Sequence, residues 1–252
     1  TPAKIQRMQR LSQLFPDDYL EQIDNEVTYH QAGIWQSLSP AGLQDAKVCE
    51  LRPSKGQMRL YDAAGHALSQ ADVTLLAAGA GMHTLTSLAL KNVRGQSIRI
   101  QSKHALPEFL TGDINITHLD GHDFLVGSTY ELGSNDSQTR LLDTDRLMSD
   151  LAQILQHRDF TLTSAHAGIR TTFSDRVIGA GLLPTDALTT AIMDQGVGQH
   201  LKPMPACYAL MGLGSHGATH APLAAEAIVS AFCGAPSPLP RDLAHLIRLD
   251  RF

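Results

Sequence analysis

Cysteine is scarce in this chain, and the few present do not pair. Cys49, Cys207 and Cys233 sit at irregular spacing with no C-x-x-C pair, which excludes a disulfide framework and a thiolate zinc site. They read as buried or free thiols of a reducing cytoplasm. None of the 12 His residues falls in an H-E-x-x-H or H-x-H pattern, so no metal is expected. No apolar run approaches the roughly 20 residues that cross a bilayer. The segment Thr1–Arg7 has no apolar signal core, so neither membrane insertion nor secretion is expected. An opening Thr1 in place of Met suggests a processed or excised chain. Cationic excess is missing too. With 20 Lys and Arg against 25 Asp and Glu, the net charge is -5, which excludes a stand-alone nucleic-acid binder. The densest basic spacing is Lys91, Arg94, Arg99 and Lys103.

What is present suits one substantial core, or one core with an appended lobe: 252 residues, 43% hydrophobic and 18% charged. Ile5, Met8, Leu11 and Leu14 predict an amphipathic helix stopped by Pro16, and Gly33–Pro40 reads as loop. Lys47–Arg52 and Gln57–Tyr61 predict two strands. Asp72–Ala78 is a nearly continuous apolar run and predicts a strand buried on both faces. Gly95–Gln101, Ile114–Leu119 and Phe124–Tyr130 predict an antiparallel sheet, and Phe160–Arg170 a further strand. Asp143 or Thr144 is a candidate cap for a helix carrying Leu147, Leu151, Ile154 and Leu155. An irregular excursion over Asp186–Met204 precedes a strand at Tyr208–Met211. A small-residue helix over Ala218–Phe232, closed by Gly234, and a short helix over Pro240–Leu249 end the chain. The pattern is mixed α/β, or α+β, with a sheet shared by both ends of the chain.

Two motifs carry chemistry. The run G-L-G-S-H-G-A-T-H-A-P-L at Gly212–Leu223 leads a strand through glycines into a helix. Such a turn presents backbone N–H groups and a positive dipole end to an anion or an electron-rich ring edge, and glycine lets a flat ring approach closely. The same run also serves as a plain tight strand-to-helix connection. The second motif, A-G-I-R-T-T-F-S-D-R-V-I-G at Ala167–Gly179, puts Arg170 at the end of an apolar strand. Its planar fork suits a carboxylate in a cavity, or equally a surface ion pair.

In this order the motifs resemble the C-terminal half of the D-amino-acid oxidase superfamily of FAD-dependent oxidoreductases. Within it, the chain is similar to the oxidoreductase half of bifunctional enzymes that modify the tRNA wobble uridine. The resemblance also rests on A-G-I-W…L-S-P-A-G-L (Ala32–Leu43), L-L-A-A-G-A-G (Leu75–Gly81), V-R-G-Q (Val93–Gln96) and L-V-G-S-T-Y-E (Leu125–Glu131). It implies FAD as cofactor, with Ala77, Ala78, Gly79 and Ala80 at a strand end against it. Gly95 and Gln96 would lie near the flavin, and Gly212, Gly214, Ser215, Gly217 and Ala218 would line its pyrimidine edge. Arg170 would hold a substrate carboxylate, with Ser215, Tyr130 and His216 beside the substrate amine. The implied reaction removes the carboxymethyl group of 5-carboxymethylaminomethyl-(2-thio)uridine, with tRNA as substrate and a fused or associated methyltransferase as partner. The implied layout assigns 1–70 to the substrate lobe with connecting strands and 71–93 to the flavin domain. Residues 94–165 would form an antiparallel substrate domain, and 166–252 the return to the flavin domain.

The chain departs from that pattern in two places. No strand–G-x-G-x-x-G–helix opening with its acidic ribose partner occurs; the G-x-G-x-x-G at Gly212, Gly214 and Gly217 has no following βαβ unit. The expectation is therefore a remnant of the FAD/NAD(P)-binding sheet without its N-terminal nucleotide segment, and weak flavin binding. Leu38–Val48 also passes almost directly from L-S-P-A-G-L into D-A-K-V, which suggests residues missing near Leu43–Asp45. Two further readings stand open: a free amino-acid oxidase of glycine or sarcosine type, and a non-catalytic interaction module.

Overall fold

The structure is a computed structural model. It describes residues 20–23, 26–29, 46–54, 56–106, 109–110, 114–184, 187–188 and 206–251. The expected helix over Ile5–Leu14, the loop at Gly33–Pro40, the gap near Leu43–Asp45 and nearly all of the Asp186–Met204 excursion lie outside these residues. The chain divides into two compact units, one of residues 1–38 and 93–169, the other of 39–92 and 170–252.

In the first unit, β1 (Leu20–Ile23) and β2 (Glu26–Tyr29) form an antiparallel pair. The main sheet is built on β7 (Lys91–Ser102), flanked by β10 (Asp123–Gly127), β11 (Glu131–Leu132) and β12 (Phe160–Thr172). β9 (Asn115–Asp120) and β8 (Phe109–Leu110) extend it beyond β10. Along β7 burial alternates with the period of two of a pleated strand: Arg94, Gln96, Ile98, Ile100 and Ser102 all point inward. Ile98 and Ile100 meet Phe124, Val126 and Ile116 across the sheet, and α1 (Leu141–Leu155) covers them with Leu147 and Leu151. These two leucines recur at helical spacing, so one face of α1 is apolar.

The same inward period carries two polar side chains, Arg94 and Gln96, under the start of α1, both 0% exposed. Arg94 Nη1 donates to Asp143 at 2.5 Å, and Nη2 donates to Gln96 Oε1 at 2.9 Å and to the Gln138 carbonyl at 2.7 Å. Gln96 Nε2 donates to the Arg140 carbonyl and to Thr144 Oγ1, both at 2.9 Å, and its Oε1 accepts the Arg140 N–H at 2.7 Å. This overturns the expected cap. α1 starts at Leu141 with Arg140 as its N-cap and no side-chain cap bond. Asp143 and Thr144 lie inside the first turn, where they neutralise a buried guanidinium and satisfy a buried amide.

The second unit carries an antiparallel meander of β3 (Glu50–Ser54), β4 (Gln57–Tyr61) and β5 (Ala67–Ala71). A three-stranded sheet accompanies it, in the order β13 (Gly179–Leu182), β14 (Ala206–Met211), β6 (Val73–Leu76). β14 runs antiparallel to β13 and parallel to β6, with Cys207 opposite Thr74 and Ala209 opposite Leu76. One face of this sheet presents Leu76, Cys207, Ala209 and Met211 to Leu51 and Met58 of the meander. Burial there pushes the Cys207 thiol up to about 11, so it is an inert apolar filler. α2 (Gly217–Cys233) packs Ala224 and Ile228 on the other face, against Ala180, Tyr208 and Leu210. It ends at Gly234, whose φ of 66° and the Ala235 N–H to Ser230 carbonyl bond (2.8 Å) form a left-handed cap. The short α3 (Arg241–Leu246) follows.

β6 corrects the expectation of a strand buried on both faces. Thr74 and Leu76 are buried, but Val73 is 37% and Leu75 55% exposed. An apolar run fixes neither face by itself; here one face meets the core and the other does not. Among the described residues, no helix is long and apolar enough to cross a membrane.

The buried ion pair yields a prediction. Asp143→Ala leaves the Arg94 guanidinium without its anion and should cost about 3 kcal/mol. Arg94→Met removes the buried charge itself and should cost less, about 1–2 kcal/mol. Urea unfolding of both variants checks the order.

Candidate functional site

The glycine loop is built by a ring that leaves no room for side chains. Phe173, 0% exposed, follows the end of β12 and presses on the first residue after β14. A Cβ on Gly212 would stand 2.6 Å from Phe173 Cδ2, and the residue has φ of 68°. Both facts select glycine. The chain then turns through Leu213, which bridges to Thr172, and Gly214, whose N–H donates to the Thr171 carbonyl at 2.9 Å. Gly214 has φ of 55°. His216 is the N-cap of α2 and makes no side-chain cap bond. The amides of Gly217 and Ala218 in the first turn can therefore serve an acceptor from outside the helix.

The ladder between β12 and this loop fixes Arg170. Arg170 Nη1 donates to Ser215 Oγ at 3.3 Å, so the half-buried guanidinium sits at the mouth of α2. A cation thereby joins the positive end of a helix dipole. β6 runs parallel to β14, so the segment leaving its C-terminal end departs from the same sheet edge as the glycine loop. Ligands of open α/β sheets bind at that edge. Ala77, Ala78 and Gly79 are exposed there, and nothing lies within 4 Å of a Cβ built on Gly79. Ala80 follows in a short 3-10 turn.

The second unit thus brings together Arg170, Ser215, Gly212, Gly214 and Gly217, and sends Ala77–Ala80 out from the same edge. His216 is exposed and stacks its ring on His220, with centroids 5.6 Å apart. Gly95, Gln96 and Tyr130 belong to the first unit. Tyr130 is 58% exposed, and its neighbour Thr129 accepts the Gln96 N–H through Oγ1 at 2.9 Å. Both polar atoms of the Gln96 side chain are consumed under α1, so the side chain is a structural clasp.

Sequence reasoning missed Thr171, Thr172 and Phe173 as the elements that hold the loop. The signal was the T-T-F run directly after G-I-R, with an aromatic placed to meet two glycines. It also missed His220, whose pKa is lowered by burial and then by the charge of His216.

The group such a site can hold is flat and electron-rich at its edge. Close-approach backbone at Gly79 and Gly214, amides at the start of α2 and a nearby cation all suit the ring end of a flavin.

Comparison with known proteins agrees with this chemistry. The family described as DAO, FAD dependent oxidoreductase, matches residues 41–231. The tRNA 5-methylaminomethyl-2-thiouridine biosynthesis bifunctional protein of Caulobacter vibrioides is 34% identical over 77% of this chain and 30% of its own length. The protein of the same description from Burkholderia mallei is 29% identical over 80% of this chain and 33% of its own. The chain thus spans about a third of these relatives. Among solved structures, glycine oxidase from Geobacillus kaustophilus superposes with a TM-score of 0.63 at 18% identity, over 82% of this chain and 52% of its own. Iminodiacetate oxidase from Chelativorans sp. BNC1 gives 0.62 at 19%, over 78% and 51%.

Two outcomes are expected from this geometry. Gly212→Ala should cost about 3 kcal/mol, because its Cβ meets the buried Phe173 ring. Gly214→Ala should cost only about 1 kcal/mol, because its Cβ finds Thr172 at an ordinary 3.6 Å and pays the left-handed conformation alone. Chemical unfolding compares the two. His220 takes up a proton less readily folded than unfolded, so it withdraws stability as pH falls below its ordinary value of 6.5. His220→Leu should shrink the loss in melting temperature between about pH 7 and pH 5.

Proposed function

The chain belongs to the DAO family of FAD dependent oxidoreductases, and we propose that it acts on a CH–NH bond, oxidising the carboxymethylamino group of a modified tRNA uridine. The relatives at 29–34% identity, named for 5-methylaminomethyl-2-thiouridine biosynthesis in tRNA, support the substrate class. The observation that carries the reading is Arg170 at the mouth of α2, bonded to Ser215.

The substrate, 5-carboxymethylaminomethyl-(2-thio)uridine, offers a carboxylate one carbon from a secondary amine. Arg170 holds that carboxylate by its planar fork, and Ser215, already its partner, sets the guanidinium's orientation. A carboxylate fixed at one end and a polynucleotide fixed at the other leave the intervening methylene little freedom. Orientation of this kind is worth several kcal/mol. Bound FAD supplies the two-electron acceptor for the methylene C–H. The residues that would hold its ring are the backbone of Gly212–Ala218 and of Ala77–Ala80. Loss of hydride from the methylene gives an imine, and water cleaves it to glyoxylate and the free aminomethyluridine. The neutral amine's lone pair drives the step, so the reading requires no side-chain base. Glycine and iminodiacetate, named in two structural neighbours, contain the same carboxymethylamine unit. The methyltransferase expected as partner would act on the aminomethyl product.

In the flavin-loaded protein, Arg170→Met should lower kcat/KM on tRNA bearing the carboxymethylaminomethyl group by about a hundredfold, the equivalent of losing a charge-assisted pair. Steady-state turnover measures it. Equal turnover by both proteins removes Arg170 from the site. Faster turnover of free glycine than of tRNA transfers the reading to an amino-acid oxidase.

A further inference from the structure

A cavity lies in the second unit, bounded by α2, α3 and the turn after Phe173, with a volume of about 340 Å³. That is the size of a small-molecule pocket. Its floor is apolar, with Ile178, Leu223, Leu243 and Leu246 among its walls. Its one charged lining side chain is Arg176; Thr219 and His220 add polar groups, and among the described residues no carboxylate lines it. An apolar pocket with a cation at its rim matches a ligand with an apolar body and an anionic head.

Arg176 adds an independent observation. It has φ of 59°, the left-handed region that an arginine enters only at a cost. The turn demands this conformation: the Arg176 N–H donates to the Phe173 carbonyl at 3.1 Å, and the next amide, on Val177, donates to Asp175 Oδ1 at 2.9 Å. Glycine would fit the turn without strain, yet the position holds a long cation that reaches the cavity. Among the described residues, no carboxylate pairs with its guanidinium; the adjacent Asp175 pairs with Arg251 instead. His220 presents a ring in the same wall, stacked on His216.

We propose that this cavity binds a small amphipathic carboxylate, its hydrocarbon body against Leu223, Leu243 and Leu246 and its carboxylate on Arg176. The guanidinium can take the two carboxylate oxygens in parallel, while each methylene placed on the apolar floor tightens binding. This site uses neither the glycine loop nor a cofactor, so it stands or falls apart from the oxidase reading.

Calorimetric titration of the chain with hexanoate, octanoate and 1-octanol tests it. Octanoate should bind about fifteenfold more tightly than hexanoate, following about fourfold for each of its two extra methylenes, and at least tenfold more tightly than the neutral octanol. Arg176→Gly, which relieves the strained φ, should keep or raise the melting temperature while losing at least tenfold in octanoate affinity and leaving octanol unaffected. Arg176→Gln should lose the same affinity, which separates the charge from the turn. Leu243→Asp, at a partly exposed position, should abolish binding of both ligands. The proposal is overturned if octanoate does not bind, if octanol binds as tightly, or if Arg176→Gly leaves octanoate affinity unchanged.

Discussion

A single buried ring, Phe173, governs the geometry of the second unit. It faces two glycines, Gly179 at the start of β13 and Gly212 just after β14, where any β-carbon would stand under 3 Å from a ring atom. These residues are near-opposite in the β13–β14 ladder, since Gly179 pairs with Met211. The ring therefore closes off the ladder end, and the chain after β14 turns at once. That turn is the glycine loop. Its next residues are zipped to Thr171 and Thr172, so the strand carrying Arg170 and the helix mouth cannot move independently. The position of the guanidinium thus follows from packing, and its chemistry from position.

The first unit solves a different problem in a similar way. The pleat of β7 dictates that every second side chain faces α1, and at Arg94 and Gln96 those side chains are polar. An apolar helix face would have stranded them. The chain answers by starting α1 over them, with Asp143 and Thr144 turned inward. The cost of desolvating the pair is offset by several bonds that tie β7 to the segment 138–144. Charge burial here serves register as well as cohesion, because a shift of β7 by one residue would expose the whole set.

Much of this was legible beforehand. The β3–β4 hairpin, the antiparallel sheet of the first unit and the strand–loop–helix at Gly212 followed from alternation, turn residues and glycine spacing. Arg170 and the glycine motif were readable as separate pieces, but no spacing rule could show that Thr171 and Thr172 would lace them together. Two features escaped for physical reasons. The run Asp72–Ala78 is uniformly apolar, and hydropathy does not say which face will be covered; Leu75 lies open while Leu76 is buried. Asp143 is as good a cap as any by type, and only the tertiary demand of Arg94 draws it inside the helix.

β6 and β14 are parallel partners, yet the whole segment 93–169 of the first unit is threaded between them along the chain. A parallel pair always requires an intervening return path, and here that path is itself a compact body with its own core. Such an arrangement favours a folding order in which the inserted body closes early and the distant strands meet late. It also gives heredity a convenient joint. Variation within the insert leaves the sheet edge and its glycine loop intact, so the two bodies can diverge at different rates.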